Sequence, residues 1–397
     1  MPYLHKREPV PTMERLVAFW KRQAKDRILI STLIPNPHWD SYIRVHGHPT
    51  CYRVAAPGYT LTYFPEGVAS FRTECLCVED PSRVMAMIEA QQRLCADLDD
   101  DSMPIGYPSL HFGESVFAGF EGAHIEFHGN GLYTWSGTQS PPLTTWDALE
   151  DVLTSPLREP WCSRFENMAQ YAVEHAQGRF GLRTFITIDT LNLAVEWRGN
   201  TAAYMDVIDA PENLRRIFAR GVQLNKEVLA LERAYFDPYN RGVFQNDEFC
   251  ALAPAIERPV LSVDAFTLVS PRLYQELGMS YQQRLIDEFG GGHMHMHGTK
   301  LYKLLPLVAQ LRGLISVELG DDGLGPDDPL PMENLNRIQD EITHDIPLFV
   351  HCNREQFTDG LSKRTLAGGV HYCVRGIDSL GEANLLAARA HDYVAST

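Results

Sequence analysis

Basic residues are scarce in this chain: 35 Lys and Arg stand against 51 Asp and Glu, a formal net charge of −16. Nucleic acid and anionic membrane surfaces both call for a basic face, so neither is expected as a partner. None of the eight cysteines pairs in CxxC spacing, and in 397 residues they read as scattered reduced thiols rather than a disulfide framework. No GxGxxG opens a helix, no DxHxxG occurs, and there is no internal repeat or low-complexity stretch. The first residues, MPYLHKREPVPTMERL, lack the apolar stretch of a signal peptide. No apolar run approaches the ~20 residues that cross a bilayer. Together these absences predict a cytoplasmic protein.

What is present is an ordinary globular composition, 44% hydrophobic. A chain this long buries roughly three quarters of its unfolded surface, so any metal is expected to serve function rather than to staple the fold. Residues 12–26 and Pro81–Leu98 carry helical periodicity, and Ile28–Thr32 reads as a strand. Residues 45–80 read as short strands and turns. Beyond about residue 100, short apolar runs alternate with helical patterns. Predicted strands are Phe185–Ile188, Val260–Val263, His293–His297, Leu314–Leu319, Leu348–Cys352 and Val370–Val374. Predicted helices are Ala210–Tyr235, Pro271–Phe289, Lys300–Leu311, Met332–Ile342, Arg354–Thr365 and Leu380–Ala395. This alternation predicts an α/β fold with a parallel sheet, and its length and rhythm favour a closed (β/α)8 TIM barrel over an open sheet. One domain over 1–397 is expected, with 1–100 an extension packed on a barrel of residues 101–397.

Three of the 15 histidines fall within five residues, His293-Met294-His295-Met296-His297. On a strand, residues two apart share a face, so the imidazoles point one way and the methionines the other. Methionine suits the helix-packing layer, which turns the imidazoles into the barrel. His297 stands at the C-terminal end, where barrel enzymes build their sites. His295 and His297 are therefore candidate zinc ligands, with a third from Cys352, Cys373, or an acid such as Asp264 or Glu318. His293 lies deeper. Asp189, Asp264 and Glu318 end or nearly end predicted strands and are candidate catalytic acids; each could equally cap the helix that follows. Gly290-Gly291-Gly292 precedes a strand and reads as a helix stop rather than a phosphate loop. Cys75/Cys77 and His46/His48 have metal-like spacing but lie in the extension.

The stretch VDAFTLVSPRLYQELGMSYQQRLIDEFGGGHMHMHG resembles a segment of the uroporphyrinogen decarboxylase superfamily, in which an acid is followed by SP-x-x-[FY], a helix, and a strand carrying H-x-[CH]-G. Here these are Asp264, Ser270, Pro271, Tyr274, His295, His297 and Gly298. GVHYCVRGIDSLGEANLLAARAHDY resembles the superfamily's last strand and helix, and WRGNTAAYMDVIDAPENLRRIF its RG…D…PE segment; the likeness spans roughly residues 140–397. It implies a (β/α)8 barrel and one of two chemistries. One is zinc-dependent methyl transfer from a corrinoid protein to a thiol, with His297 standing where the pattern has cysteine. The other is metal-free decarboxylation of a carboxylate-bearing, porphyrinogen-like substrate, for which Arg272, Lys300 and Arg375 are cations near strand ends. The decarboxylase motif MRQAGR is matched only by Arg22, Gln23 and Ala24 of KRQAKDR, which reads as a chance match. The expected cofactor is zinc, with cobalamin carried by a partner protein. The expected partners are a small-molecule substrate, a corrinoid protein and, in a symmetric assembly, a second copy of the chain. A barrel that binds ligand or metal without catalysis is the reading from another class.

Overall fold

The computed structural model describes residues 9–36, 52–56, 59–63, 81–129, 134–138, 140–243, 256–296, 303–320, 338, 340 and 345–395. It is a mixed α/β fold. Helix α1 (Pro9–Trp20) leads into strand β1 (Leu29–Thr32), followed by β2 (Tyr52–Ala56), β3 (Tyr59–Tyr63), α2 (Pro81–Asp97), β4 (Ile105–Gly106), β5 (Ile125–Gly129) and β6 (Thr134–Thr138). Next come α3 (Trp161–Ala176), β7 (Gly181–Leu182), α4 (Thr190–Arg198), α5 (Asn200–Asp209), α6 (Pro211–Val243) and β8 (Val260–Ser262). The C-terminal third holds α7 (Met279–Phe289), β9 (Gly292–Met296), β10 (Leu314–Leu319), β11 (Leu348–Asn353), α8 (Arg354–Lys363), β12 (Val370–Arg375) and α9 (Leu380–His391).

Six strands form a parallel sheet in the order β1-β12-β11-β10-β9-β8. Strands β8 to β12 therefore lie side by side in chain order, as helical crossovers between parallel neighbours require. The described part of the predicted 300–311 helix is shorter, a turn at Leu305–Val308, and residues 332–342 lie outside the described residues except 338 and 340. The boundary at residue 100 is corrected by β1. That strand belongs to the segment read as an extension, yet it pairs with β12 from Leu29↔His371 to Thr32↔Val374. The main sheet thus begins before residue 100. A second sheet of four strands, β2-β3-β5-β6, joins the antiparallel pair β2 and β3 to the antiparallel pair β5 and β6.

The pair β4 and β7 is parallel and separate from the six-stranded sheet. Four residues before β4, Asp101 N donates to Ile30 O of β1 at 2.7 Å. Five residues after β7, Thr187 N donates to Val260 O of β8 at 2.9 Å.

Phe185–Ile188, expected as a strand, is irregular because its backbone is served by side chains of α6 instead of a complete ladder. Asn225, Glu232 and Asn240 stand seven and eight residues apart, about two turns each, so they share one helix face. Asn225 accepts from Ile188 N and donates to Ile188 O, both at 3.0 Å. Glu232 accepts from Phe185 N at 2.6 Å. Asn240 accepts from Leu182 N at 2.9 Å and donates to Leu182 O at 2.7 Å. All three side chains are buried, and buried amides must find partners.

The helix predicted over Pro271–Phe289 is interrupted by a π-helical turn at Tyr274–Gly278. Gly278 belongs there because a Cβ would run into the Phe266 ring. α7 ends at Gly290 in the left-handed conformation (φ +64°), so the glycine run stops a helix, as expected. No described helix is long and apolar enough to cross a membrane.

Candidate functional site

Each strand from β9 to β12 has one apolar and one polar parity. Met294, Met296, Val317, Leu319, Val350 and Cys352 are at most 1% exposed and join the main apolar cluster with Leu285, Ile286 and Leu386 of the helices. The opposite parity carries His293, His295, Ser316, Glu318, His351, Asn353, His371, Cys373 and Arg375. Side chains alternate across a strand, so this set points away from the helix layer.

The N-terminal half of that polar face is covered by α1. Phe19 meets Phe349 and His371 at ring distances of 5.5 and 5.8 Å, and Trp20 meets His293 at 5.7 Å. His293 Nδ1 lies 2.7 Å from Ser316 Oγ, and His371 Nε2 lies 2.7 Å from Ser31 Oγ. These two histidines are buried and packed under aromatics.

The C-terminal half is organised by Glu318. One carboxylate oxygen lies 2.9 Å from His295 Nδ1, and the other 2.6 Å from His351 Nε2. Registry brings His295 beside Glu318, whose partner on β11 is Phe349; His351 lies two residues beyond Phe349 on the same face and reaches back to the carboxylate. His351 stands beside Cys373 in register and shares a hydrogen bond with it. Arg375 Nη2 approaches His351 Nδ1 at 3.1 Å. Burial acts to raise the Glu318 carboxyl, but hydrogen bonds from His295 and His351 and their charges hold it well below the usual carboxylate range. Burial acts to lower the His351 imidazolium; hydrogen bonds to Cys373 and Glu318 outweigh this and push it up to about 10. Arg375 contests that charge, since a proton on Nδ1 would face a guanidinium N–H donor to donor. A ring with its proton on Nε2 and its lone pair on Nδ1 satisfies both contacts, donating to Glu318 at 2.6 Å and accepting from Arg375 at 3.1 Å.

Tyr107 and Arg183 stand within the electrostatic reach of Glu318. Arg183 Nη1 donates to Tyr107 Oη at 2.7 Å. Burial raises the Tyr107 phenol, Arg183 opposes, and Glu318 raises it further, which sets the phenol in the field of Glu318. Neither residue stood out in the sequence. The signal was parity: Tyr107 follows a two-residue strand on the face opposite Gly106, whose Cβ would meet Ile88 of α2.

The nominated residues divide into groups. His295, Glu318 and Cys373 come together on the polar face. Cys352 does not: it is buried in the helix-packing layer, so its candidacy as a metal ligand is corrected, and its neighbour His351 holds the interior position. His297, Gly298 and Lys300 lie outside the described residues, as do Cys75, Cys77, His46 and His48. Asp189 caps α4, accepting from Leu191 N at 2.9 Å and Asn192 N at 2.8 Å, and so serves as the helix cap weighed against a catalytic role. Asp264 stands with it, apart from Glu318, since Ala265 N donates to Asp189 at 3.3 Å. Arg272 is withdrawn as a mouth cation: 83% exposed, it pairs with Glu276 along its own helix. Arg22 donates to Gly369 O, ahead of β12, at 2.8 Å, on the N-terminal side of the sheet. Among the described residues no three His, Cys, Asp or Glu side chains stand as a metal-holding group. No family model and no curated protein matches the sequence.

Proposed function

We propose that the chain is a (β/α)8-barrel enzyme of the uroporphyrinogen decarboxylase type that transfers a methyl group from a corrinoid protein to a small thiol with the help of zinc. The barrel is supported by the six-stranded parallel sheet of β1 and β8 to β12 together with the parallel pair β4 and β7, which falls between β1 and β8 in the chain. The bonds from Asp101 to Ile30 and from Thr187 to Val260 join the two short segments to the edges of the six-stranded sheet. The polar side chains at the C-terminal half of the sheet's polar face also fit an enzyme, because barrel enzymes build their sites at the C-terminal ends of the strands.

The observation that carries the reading is Glu318 bridging His295 and His351 beside Cys373. A carboxylate on Nδ1 fixes the histidine tautomer whose Nε2 carries the lone pair, the usual support for a metal-bound imidazole. His295, His297 and Cys373 would hold the metal, and this mixed nitrogen and sulfur set suits zinc. With both oxygens engaged by histidines, Glu318 acts as the orienting group and not as a ligand. Zinc bound there would hold the acceptor as its thiolate. His351 holds a proton at Nε2 against Glu318 and faces the Cys373 sulfur. α1 excludes water from below, which strengthens every charge interaction above it.

The metal-free decarboxylase reading retains one observation of its own. Arg183 is 8% exposed, stands within the electrostatic reach of Glu318, and its Nε has no hydrogen bond among the described residues. The test is turnover. Zinc-loaded protein should transfer methyl from methylcobalamin to 2-mercaptoethanol, and His295→Ala should slow it by roughly a hundredfold or more. Equal rates after zinc removal, or in His295→Ala, would contradict the proposal.

A further inference from the structure

A second group of acids lies beyond the C-terminal ends of the parallel strands. Asp189 and Asp264 each follow a strand segment of the sheet's C-terminal side, and Glu114 precedes the helical turn Val116–Gly119. Hydrogen bonds fasten them: Ala265 N to Asp189 Oδ2 at 3.3 Å, and Asn192 Nδ2 to Glu114 Oε2 at 3.0 Å. Glu196 of α4 accepts from Thr138 Oγ1 at 2.5 Å on the same side. Neither Glu114 nor Asp189 forms an ion pair with a described Lys or Arg. Burying the Glu114 and Asp189 carboxylates without an ion pair is costly, and proton uptake relieves it. Burial, then repulsion from Asp264, Asp189 and Glu196, raises Glu114 well above the carboxylate range. Asp189 is pushed up to about 7 by burial, against its backbone hydrogen bonds and with repulsion from Asp264. Glu196 is raised by burial.

An independent feature points to a ligand. Tyr274, at the start of the π-helical turn, is fully buried, yet its hydroxyl has no hydrogen-bond partner among the described residues. The charged group acting on that phenol is Asp189. A buried hydroxyl left unsatisfied costs about 1–3 kcal/mol, so a group outside the described residues is expected to accept or donate there. Tyr204 flanks the same carboxylate; it donates to Ala265 O at 3.2 Å, and burial and Asp189 push its phenol up to about 12.

We propose that Glu114, Asp189, Asp264 and Tyr274 form a binding site for the ammonium head of a protonated primary or secondary amine, taken up in exchange for a proton. The N–H groups of such a cation match carboxylate oxygens and the Tyr274 hydroxyl. One carboxylic acid of the group releases its proton to solvent as the ammonium arrives, so charge stays balanced. The inference rests on reading the C-terminal strand ends as the active side, and it places the amine end of a substrate away from Glu318.

The experiment is calorimetric titration of the zinc-loaded full chain at pH 7 with methylammonium chloride, in phosphate and in MOPS buffer, neither of which contains a primary or secondary amine. Saturable binding is expected, with a heat that differs between buffers by the release of about one proton. Tetramethylammonium, which has no N–H, should bind at least roughly tenfold more weakly. Asp264→Asn should weaken methylammonium by roughly tenfold, and Tyr274→Phe by several-fold, with unchanged circular dichroism. Absent binding, equal binding of tetramethylammonium, no buffer dependence, or unchanged affinity in both variants overturns the site. Zinc per chain, measured on the same samples, keeps the two readings apart. Normal zinc without amine binding sinks this inference alone, and amine binding without zinc leaves it standing while the methyl-transfer reading falls.

Discussion

Glu318→Gln should lower zinc affinity by roughly 10–100-fold and turnover with it, the usual cost of losing a carboxylate behind a ligating histidine. The amide removes the charge that His295 and His351 share. His351 should then fall below about 10, since Glu318 is one of the two groups, with Cys373, that raise it. The pH dependence has a definite sign. The Glu318 carboxyl is lowered by folding, so its contribution is present above ~4.5 and lost as pH falls toward its folded value. His351 is raised by folding, so its contribution is full below ~6.5 and lost as pH rises toward about 10. The stability difference between parent and variant should therefore peak between pH ~4.5 and ~6.5 and shrink toward pH ~10. The Glu318 side chain is 34% exposed, so solvent screening discounts the maximum to about 1–3 kcal/mol. Urea unfolding at pH 6 and pH 10 measures it, and an equal difference at both values would show that the coupling is absent.

A larger loss of stability is expected from Asn225→Leu. Asn225 is fully buried, and its amide serves both the N–H and the carbonyl of Ile188 as well as Gly221 O. Leucine fills the space and adds apolar burial, but it strands two backbone groups of a buried segment. Each orphaned group costs about 1–3 kcal/mol, so a net loss of ~2–5 kcal/mol is expected after the hydrophobic gain. The Ile188 amide should also lose protection from hydrogen exchange. A loss under ~0.5 kcal/mol would mean that α6 does not act as a surrogate strand.

Much of this architecture was legible because its contacts are local or periodic. The strands from Val260 to Arg375 announce themselves as apolar runs between amphipathic helices, and parallel neighbours follow chain order. The methionines of the histidine strand correctly marked its packing face. The same parity argument, applied to Leu348-Phe349-Val350-His351-Cys352-Asn353, separates His351 from Cys352. The cysteine shares its parity with Leu348 and Val350, and therefore packs against helices. Ligand chemistry drew the choice to Cys352, and the period of two decides against it. Other features were hidden because they are long-range. Nothing near Phe185 says that its hydrogen bonds run to a helix nearly 50 residues on. The pair β2 and β3 gives no hint of its partner pair β5 and β6. Asp189 read equally well as acid or cap, and only its bonds to Leu191 and Asn192 separate the two.

Metal content per chain tests the central claim most directly. Parent protein grown with zinc should carry about one zinc, the load of a single catalytic site. His295→Ala and Cys373→Ala should lose most of it, because two remaining protein ligands rarely retain zinc. Cys352→Ala should keep it, since that thiol sits in the helix-packing layer. A parent without zinc, or a Cys352→Ala variant that loses zinc while Cys373→Ala retains it, would contradict the account.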